Sequence, residues 1–187
     1  MSLALLLSFF VSTSDADALR QTDPADLTIE TARVHLAAAR VAAAAENVDV
    51  DLLLSIAWHE SHYDATMRTA EPGQKTSCGV MTPIPKASCA TPSLVDGYLE
   101  GAAHLRTWLE AAHGNTRTAL LGYAGGYRMI KACAEGPVTA TRKGHDVDLC
   151  DIAEIFLGRA RTIRHARQYG SHSATHDKQV GNSRDAS

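Results

Sequence analysis

The chain has 187 residues, 45% of them hydrophobic, and a formal net charge of -3 at pH 7. That length fits one domain with short tails, and that apolar content excludes a globally disordered chain. The slight acidity offers no basic face for nucleic acid. Only 5% of residues are aromatic while alanine is abundant, which favours packed helices over a β-sandwich.

The chain opens on a mostly apolar run, Met1 to Val11, followed by polar residues and Ala16-Asp17-Ala18. This is the pattern of a secretory signal peptide over residues 1–18, cut after Ala18; a buried N-terminal helix is the alternative. The run is too short to span a bilayer, which needs about 20 apolar residues, and no stable membrane insertion is expected. A periplasmic or extracellular location follows from this reading. A polar linker is expected over 19–26.

Helical periodicity begins at Thr28 and runs to Glu46 through Ile29, Ala32, Leu36, Ala39 and Ala43, with Asn47 as the break. Asp49 is placed to cap a second helix reaching Ser61, and Asp51 in its first turn suits the helix dipole. From Asp64 to Ser93, glycines and prolines forbid a long helix and predict an irregular stretch with a short β element. Periodicity returns at Val95, Tyr98, Leu99, Ala102, Leu105, Leu109 and Ala112, closed by Gly114. A shorter helix is predicted from Thr116 to Tyr123, ended by Gly125-Gly126, then a loop from Glu135 to Asp146. The last predicted helix spans Asp148 to Arg167, and the polar tail over 169–187 is expected to be disordered. Arg159, Arg161, Arg164 and Arg167 read as a solvated face of that helix.

Four cysteines allow three pairings. Sequence-local bridges, Cys78 with Cys89 and Cys133 with Cys150, are expected, each restricting a Gly/Pro-rich loop in an oxidising compartment. A zinc site is disfavoured because no Cys-x-x-Cys pair exists.

Leu53, Ile56, Ala57 and Glu60 fall at i, i+3, i+4 and i+7, so Glu60 shares the apolar stripe of its helix. Desolvation there either pairs the carboxylate with a cation or favours its protonated form, which a general acid requires. The alternative is a helix-end glutamate that faces solvent. Asp64, the nearest acid downstream, reads as a turn residue. Trp58 and Tyr98 read as packing residues, while Tyr127 either lines a cleft or caps a helix. His59-Glu60-Ser61-His62 lacks the His-Glu-x-x-His spacing of a zinc protease, since Tyr63 occupies the fourth place after His59. No metal and no cofactor are expected, although His165, His172 and His176 could take up metal adventitiously.

Three blocks carry a family resemblance. Ala57-Trp-His-Glu60-Ser61-His-Tyr63 resembles the catalytic motif of the soluble lytic transglycosylase (SLT) family, in which Ala-x-x-Glu-Ser ends a helix and an aromatic follows two positions later. Gly79-Val80-Met81-Thr82-Pro83 is a looser counterpart of that family's Gly-Leu-Met-Gln block. Leu121-Gly-Tyr123-Ala-Gly-Gly126 matches its Ala-Tyr-Asn-Ala-Gly block at Tyr123 and Gly126. The blocks cover roughly residues 52–127 in the family's order. The sequence departs from the family at Thr82, where a glutamine is usual, and at Ala124, where an asparagine is usual.

The resemblance implies a mainly α, lysozyme-like domain of the goose-lysozyme type over residues 27–168, with helices around a substrate groove. It implies a peptidoglycan lytic transglycosylase that cleaves the MurNAc-GlcNAc β-1,4 bond and leaves 1,6-anhydro-MurNAc, with Glu60 as general acid and then base. The substrate's N-acetyl group would assist, so a second carboxylate is not needed. Ser61 would orient Glu60 or the N-acetyl group, and Tyr123 would hydrogen-bond beside the carboxylate. Tyr63, Gly79, Met81, Thr82 and Gly126 complete the implied substrate-binding set. The partner is a peptidoglycan glycan strand, met by a monomer; members that open the wall for a secretion or conjugation apparatus fall within this expectation. A hydrolytic goose-type lysozyme and a noncatalytic peptidoglycan-binding or secretion-associated protein are the alternatives.

Overall fold

A computed structural model describes residues 11–23, 27–69, 77–81, 93–142 and 145–181. The architecture is mainly helical. In chain order it comprises α1 (Thr13–Gln21), α2 (Ile29–Glu46), α3 (Val50–Ser61), β1 (Arg68–Thr69), β2 (Ser77–Cys78), α4 (Leu94–Ala111), α5 (Thr116–Glu135), β3 (Thr139–Arg142), β4 (His145–Asp148), a 3-10 turn (Leu149–Asp151) and α6 (Ile152–Gly181).

The caps explain where the helices start. Thr28 accepts from the Thr31 amide, Ser93 from Asp96 and Asn115 from Thr118, each satisfying an amide that the first turn leaves open. Asp49 caps α3 as its residue type predicts, accepting from the amides of Asp51 and Leu52. Asn47 closes α2 in the left-handed conformation that asparagine tolerates.

Helix α3 is the centre of the molecule. Leu52, Leu53, Leu54, Ile56 and Ala57 are all buried, so the helix is apolar nearly all round and has neighbours on every side. It packs on α6, α2 and α4, while α2 lies along α4 and α5 along both α4 and α6. Phe156 and Ile163 of α6 fill the space against it, and Ser55 donates to Phe156 O across the contact (2.8 Å). Among the described residues no helix is long and apolar enough to cross a membrane.

Four features differ from the sequence expectations. Residues read as leader and linker include α1, which Ser12 caps and which packs against α6 and α2 with Ala16 and Leu19 fully buried. The expected cleavage point after Ala18 lies inside that helix. Helix α5 does not end at Gly125-Gly126: Gly126 alone leaves helical geometry (φ 68, ψ -165) and the helix resumes as far as Glu135. The loop predicted after Glu135 holds a hairpin, with Thr139 paired to Asp148 and Arg142 to His145. Helix α6 continues past Tyr169 to Gly181, through residues that no proline interrupts.

The irregular stretch after Asp64 does contain a short ribbon, Arg68 opposite Cys78 and Thr69 opposite Ser77. Cys133 and Cys150 form a disulfide that ties the end of α5 to the 3-10 turn and closes the hairpin between them. Cys78 is also disulfide-bonded; its expected pairing with Cys89 lies outside the described residues.

Three arginines of the α6 run form a clasp, while Arg161 stays exposed as a solvated face would have it. Arg164 pairs with Asp49 and with Asp51 (3.3 Å), Arg167 pairs with Asp51, and Arg159 pairs with Asp23 (3.3 Å). Asp51 is 7% exposed at its side chain, and its carboxyl is raised by burial, against the lowering effect of Arg167.

Candidate functional site

The three sequence blocks meet where α3 ends. Helix α3 stops at Ser61, and the next two residues, His62 and Tyr63, both take positive φ (53° and 65°). Such backbone is costly for side chains with a Cβ, so the turn persists because its surroundings hold it. Those surroundings are largely the segment 79–81. Ser61 Oγ lies 2.7 Å from Val80 O and 2.9 Å from Ala57 O and shares its one proton between them. Gly79 makes the approach, with φ +87 and its amide donating to Met67 O (3.0 Å). Val80 and Met81 are buried against α4, where Gly97 and Gly101 leave room: a Cβ on Gly101 would stand 2.4 Å from the Met81 sulfur.

Tyr123 of α5 closes the arrangement by donating its hydroxyl proton to Met81 O (2.9 Å). Burial raises the Tyr123 phenol well above its ordinary range, and the Glu60 carboxylate raises it further. Glu60 is half-buried on the last turn of α3, near enough to Tyr123 for its charge to be felt there. The result is a carboxylate at a helix end beside a protonated phenol, with a backbone segment pinned beneath both. The Tyr123 proton is committed to the Met81 carbonyl, so this phenol is held as a hydrogen-bond donor to the pinned segment.

Other expected site residues are placed differently. Tyr63 is 4% exposed and packs edge-on against His35 (centroids 5.1 Å), with burial pushing its phenol up, so it serves the core and offers no ring to a ligand. Met81 has no exposed side chain and contributes its carbonyl alone. Gly126 is the kink of α5, and Ala124 is exposed. Thr82 lies outside the described residues.

Asp64 folds into its own turn, accepting from the Thr66 hydroxyl and amide (2.7 Å each), which hold its carboxyl low. Trp58 is held by Asp23, to which its indole N–H donates, and by the Arg159 guanidinium 3.5 Å from its ring centroid. Tyr98 is fully buried, with its hydroxyl 3.1 Å from His35 Nδ1. His59 stands edge-on to Phe156 and His62 tilts over Trp58, so the two rings address different aromatics. Among the described residues no group of three or more His, Cys, Asp or Glu side chains could hold a metal ion.

Sequence reasoning missed His104 and Trp108. Their rings continue from Tyr123, whose ring lies 5.0 Å from His104. Trp108 Nε1 donates to His104 Nε2 (3.2 Å), which places the imidazole proton on Nδ1, and burial lowers the His104 pKa. Trp108 in turn meets Tyr127 edge-on at 4.9 Å. The available signal was a pair of i, i+4 aromatic couples on successive helices, His104/Trp108 and Tyr123/Tyr127, outside the main apolar stripe. Comparison with protein-family models, curated proteins and solved structures finds no match for this chain.

Proposed function

We propose that this chain is an exported peptidoglycan lytic transglycosylase, with Glu60 as its one acid/base. The observation that carries the reading is the convergence of Glu60-Ser61, Val80-Met81 and Tyr123 through the Ser61 and Tyr123 hydrogen bonds. Those contacts join the same three blocks that resemble the SLT family. In this reaction Glu60 gives its proton to the glycosidic oxygen between N-acetylmuramic acid and N-acetylglucosamine as the C1–O bond breaks. The N-acetyl group of the muramoyl sugar supports the electron-poor C1. Glu60, now a carboxylate, takes the proton of the muramoyl 6-hydroxyl while that oxygen bonds to C1. The product is a 1,6-anhydro sugar, the proton returns to Glu60, and no water is consumed. The Cys133–Cys150 disulfide supports an oxidising compartment, periplasmic or extracellular.

Ala124 favours a second reading. It is exposed beside Tyr123 and brings no polar group where the family has an asparagine, which suits a noncatalytic glycan-binding protein. A hydrolase of the goose-lysozyme type would use the same Glu60 with water as nucleophile.

Purified oxidised protein and its Glu60→Gln variant, incubated with isolated sacculi, decide among these. Anhydro-muropeptides from the wild type, with a loss of about 10²–10⁴-fold in the variant, support the transglycosylase. Reducing-end products point to the hydrolase. No release, with both proteins pelleting on sacculi, leaves the binding role.

A further inference from the structure

We propose that the His104–Trp108–Tyr127 face is a saccharide-binding subsite extending from Glu60, with the Tyr127 ring as its stacking surface. This rests on the glycan-cleaving role proposed for Glu60. Tyr127 is 71% exposed, the highest value among the large hydrophobic side chains described. Its ring nevertheless rests against the protein on one side. The non-helical Gly126 just before it sets its direction, and its ring meets the edge of Trp108 at 63°.

Trp108 is held from three sides. Its N–H is bonded to His104, Tyr127 lies against it, and its ring rests on Gly122, where a Cβ would come within 2.3 Å. A glycine at 122 is therefore matched to this indole. The contacts run without a break from Tyr123, which feels the Glu60 charge, through His104 and Trp108 to the exposed ring. Orienting an aromatic before any ligand arrives removes part of the entropy cost of binding.

The shape of the exposed patch selects the occupant. Among the described residues the other exposed large hydrophobics are Ile29, Ile155 and Tyr169, on α2 and α6, so Tyr127 is the one strongly exposed large apolar side chain described on α4 and α5. A protein interface needs roughly 800 Å² per partner, far more than a single tyrosine offers. A pyranose fits: its C–H face covers one aromatic ring while its hydroxyls remain in water. The neighbours Ala124, Arg128 and Lys131 are exposed, leaving a wet rim around the ring.

The test uses full-length oxidised protein carrying Glu60→Gln, titrated with the tetramer of N-acetylglucosamine and followed by tryptophan fluorescence, with and without Tyr127→Ala. In parallel, Tyr127→Ala with Glu60 intact is assayed on sacculi. The expected result is Kd weakened about five- to tenfold by Tyr127→Ala, with KM raised by a similar factor and kcat within twofold. Unchanged Kd and KM, with anhydro products still released, overturns the subsite and leaves the Glu60 reading standing. Anhydro products without any tetramer binding also overturn it. Absence of cleavage products from the wild type overturns the Glu60 reading, and the subsite as part of a catalytic groove falls with it. Circular dichroism checks that Tyr127→Ala is folded, and Tyr127→Phe, which keeps the ring, is expected to restore binding.

Discussion

His35 gives the sharpest quantitative test of the packing. It sits in the core of α2, 4% exposed, with its Nδ1 3.1 Å from the Tyr98 hydroxyl and its ring edge-on to Tyr63 and Tyr98. Burial lowers its pKa from 6.5 to about 4. The unfolded chain therefore binds a proton that the folded chain refuses, and stability falls as pH drops through this window. The cost is absent above the unfolded value and complete below the folded one. A depression of this size is worth roughly 3 kcal/mol in full, of which about 2 kcal/mol is lost by pH 5. His35→Gln keeps a polar partner for Tyr98 and cannot titrate. Urea denaturation of both proteins at pH 7 and pH 5 should show the wild type losing about 2 kcal/mol more than the variant across that interval. An equal loss in both proteins, within about 0.5 kcal/mol, would refute the buried, neutral histidine.

Three further outcomes follow from packing and connectivity. Gly122→Ala drives a methyl into the Trp108 ring and is expected to cost about 1–3 kcal/mol by thermal or urea unfolding; a neutral effect would show that the indole is not seated there. Replacing both Cys133 and Cys150 by alanine releases a loop with a sequence separation of 17, and should lower stability by about 3 kcal/mol, read as a lower urea midpoint in oxidised protein. Deleting residues 1–18 removes buried Ala16 and Ala18 and the Asp15–Arg40 pair (2.7 Å), so it should lower stability by roughly 2–4 kcal/mol relative to a chain starting at Val11. Equal stability of the two truncated chains would show that α1 contributes nothing to the folded core.

The helical frame was legible wherever period and punctuation agreed. Asp49 and Asn47 mark boundaries within a residue of where the helices start and stop, because caps act locally, while Gly114 stands three residues beyond the end of α4 at Ala111. The β3–β4 hairpin was not legible: its strands are four residues each and polar, and their order depends on the Val138 amide donating to Asp148 and on the Cys133–Cys150 bridge. Helix α1 was hidden for a different reason. An apolar leader and an amphipathic helix start alike, and only the presence of α6 and α2 gives Ala16 and Leu19 a surface to bury against.

At the candidate site, Glu60 and Tyr123 were marked by their motifs; the apolar stripe alone left Glu60 open between a desolvated carboxyl and a helix-end residue facing solvent. Tyr63 was marked by the same motif yet points inward, because two successive left-handed residues turn the chain into the core. The Arg run misled for a related reason. Sequence shows cations every few residues on a helix, but not that Asp23, Asp49 and Asp51 face them from other elements.

The seating of Phe156 and Ile163 against α3 also sets an order of assembly. These two side chains come from the last helix, yet they complete the centre around which α1 and α3 pack. A chain emerging amino terminus first can pair α2 with α4 early, yet the face of α3 that meets α6 stays open until about residue 163 has appeared. Contacts of that sequence separation delay closure, so the seal over α3 is the last part of the core that the growing chain can complete.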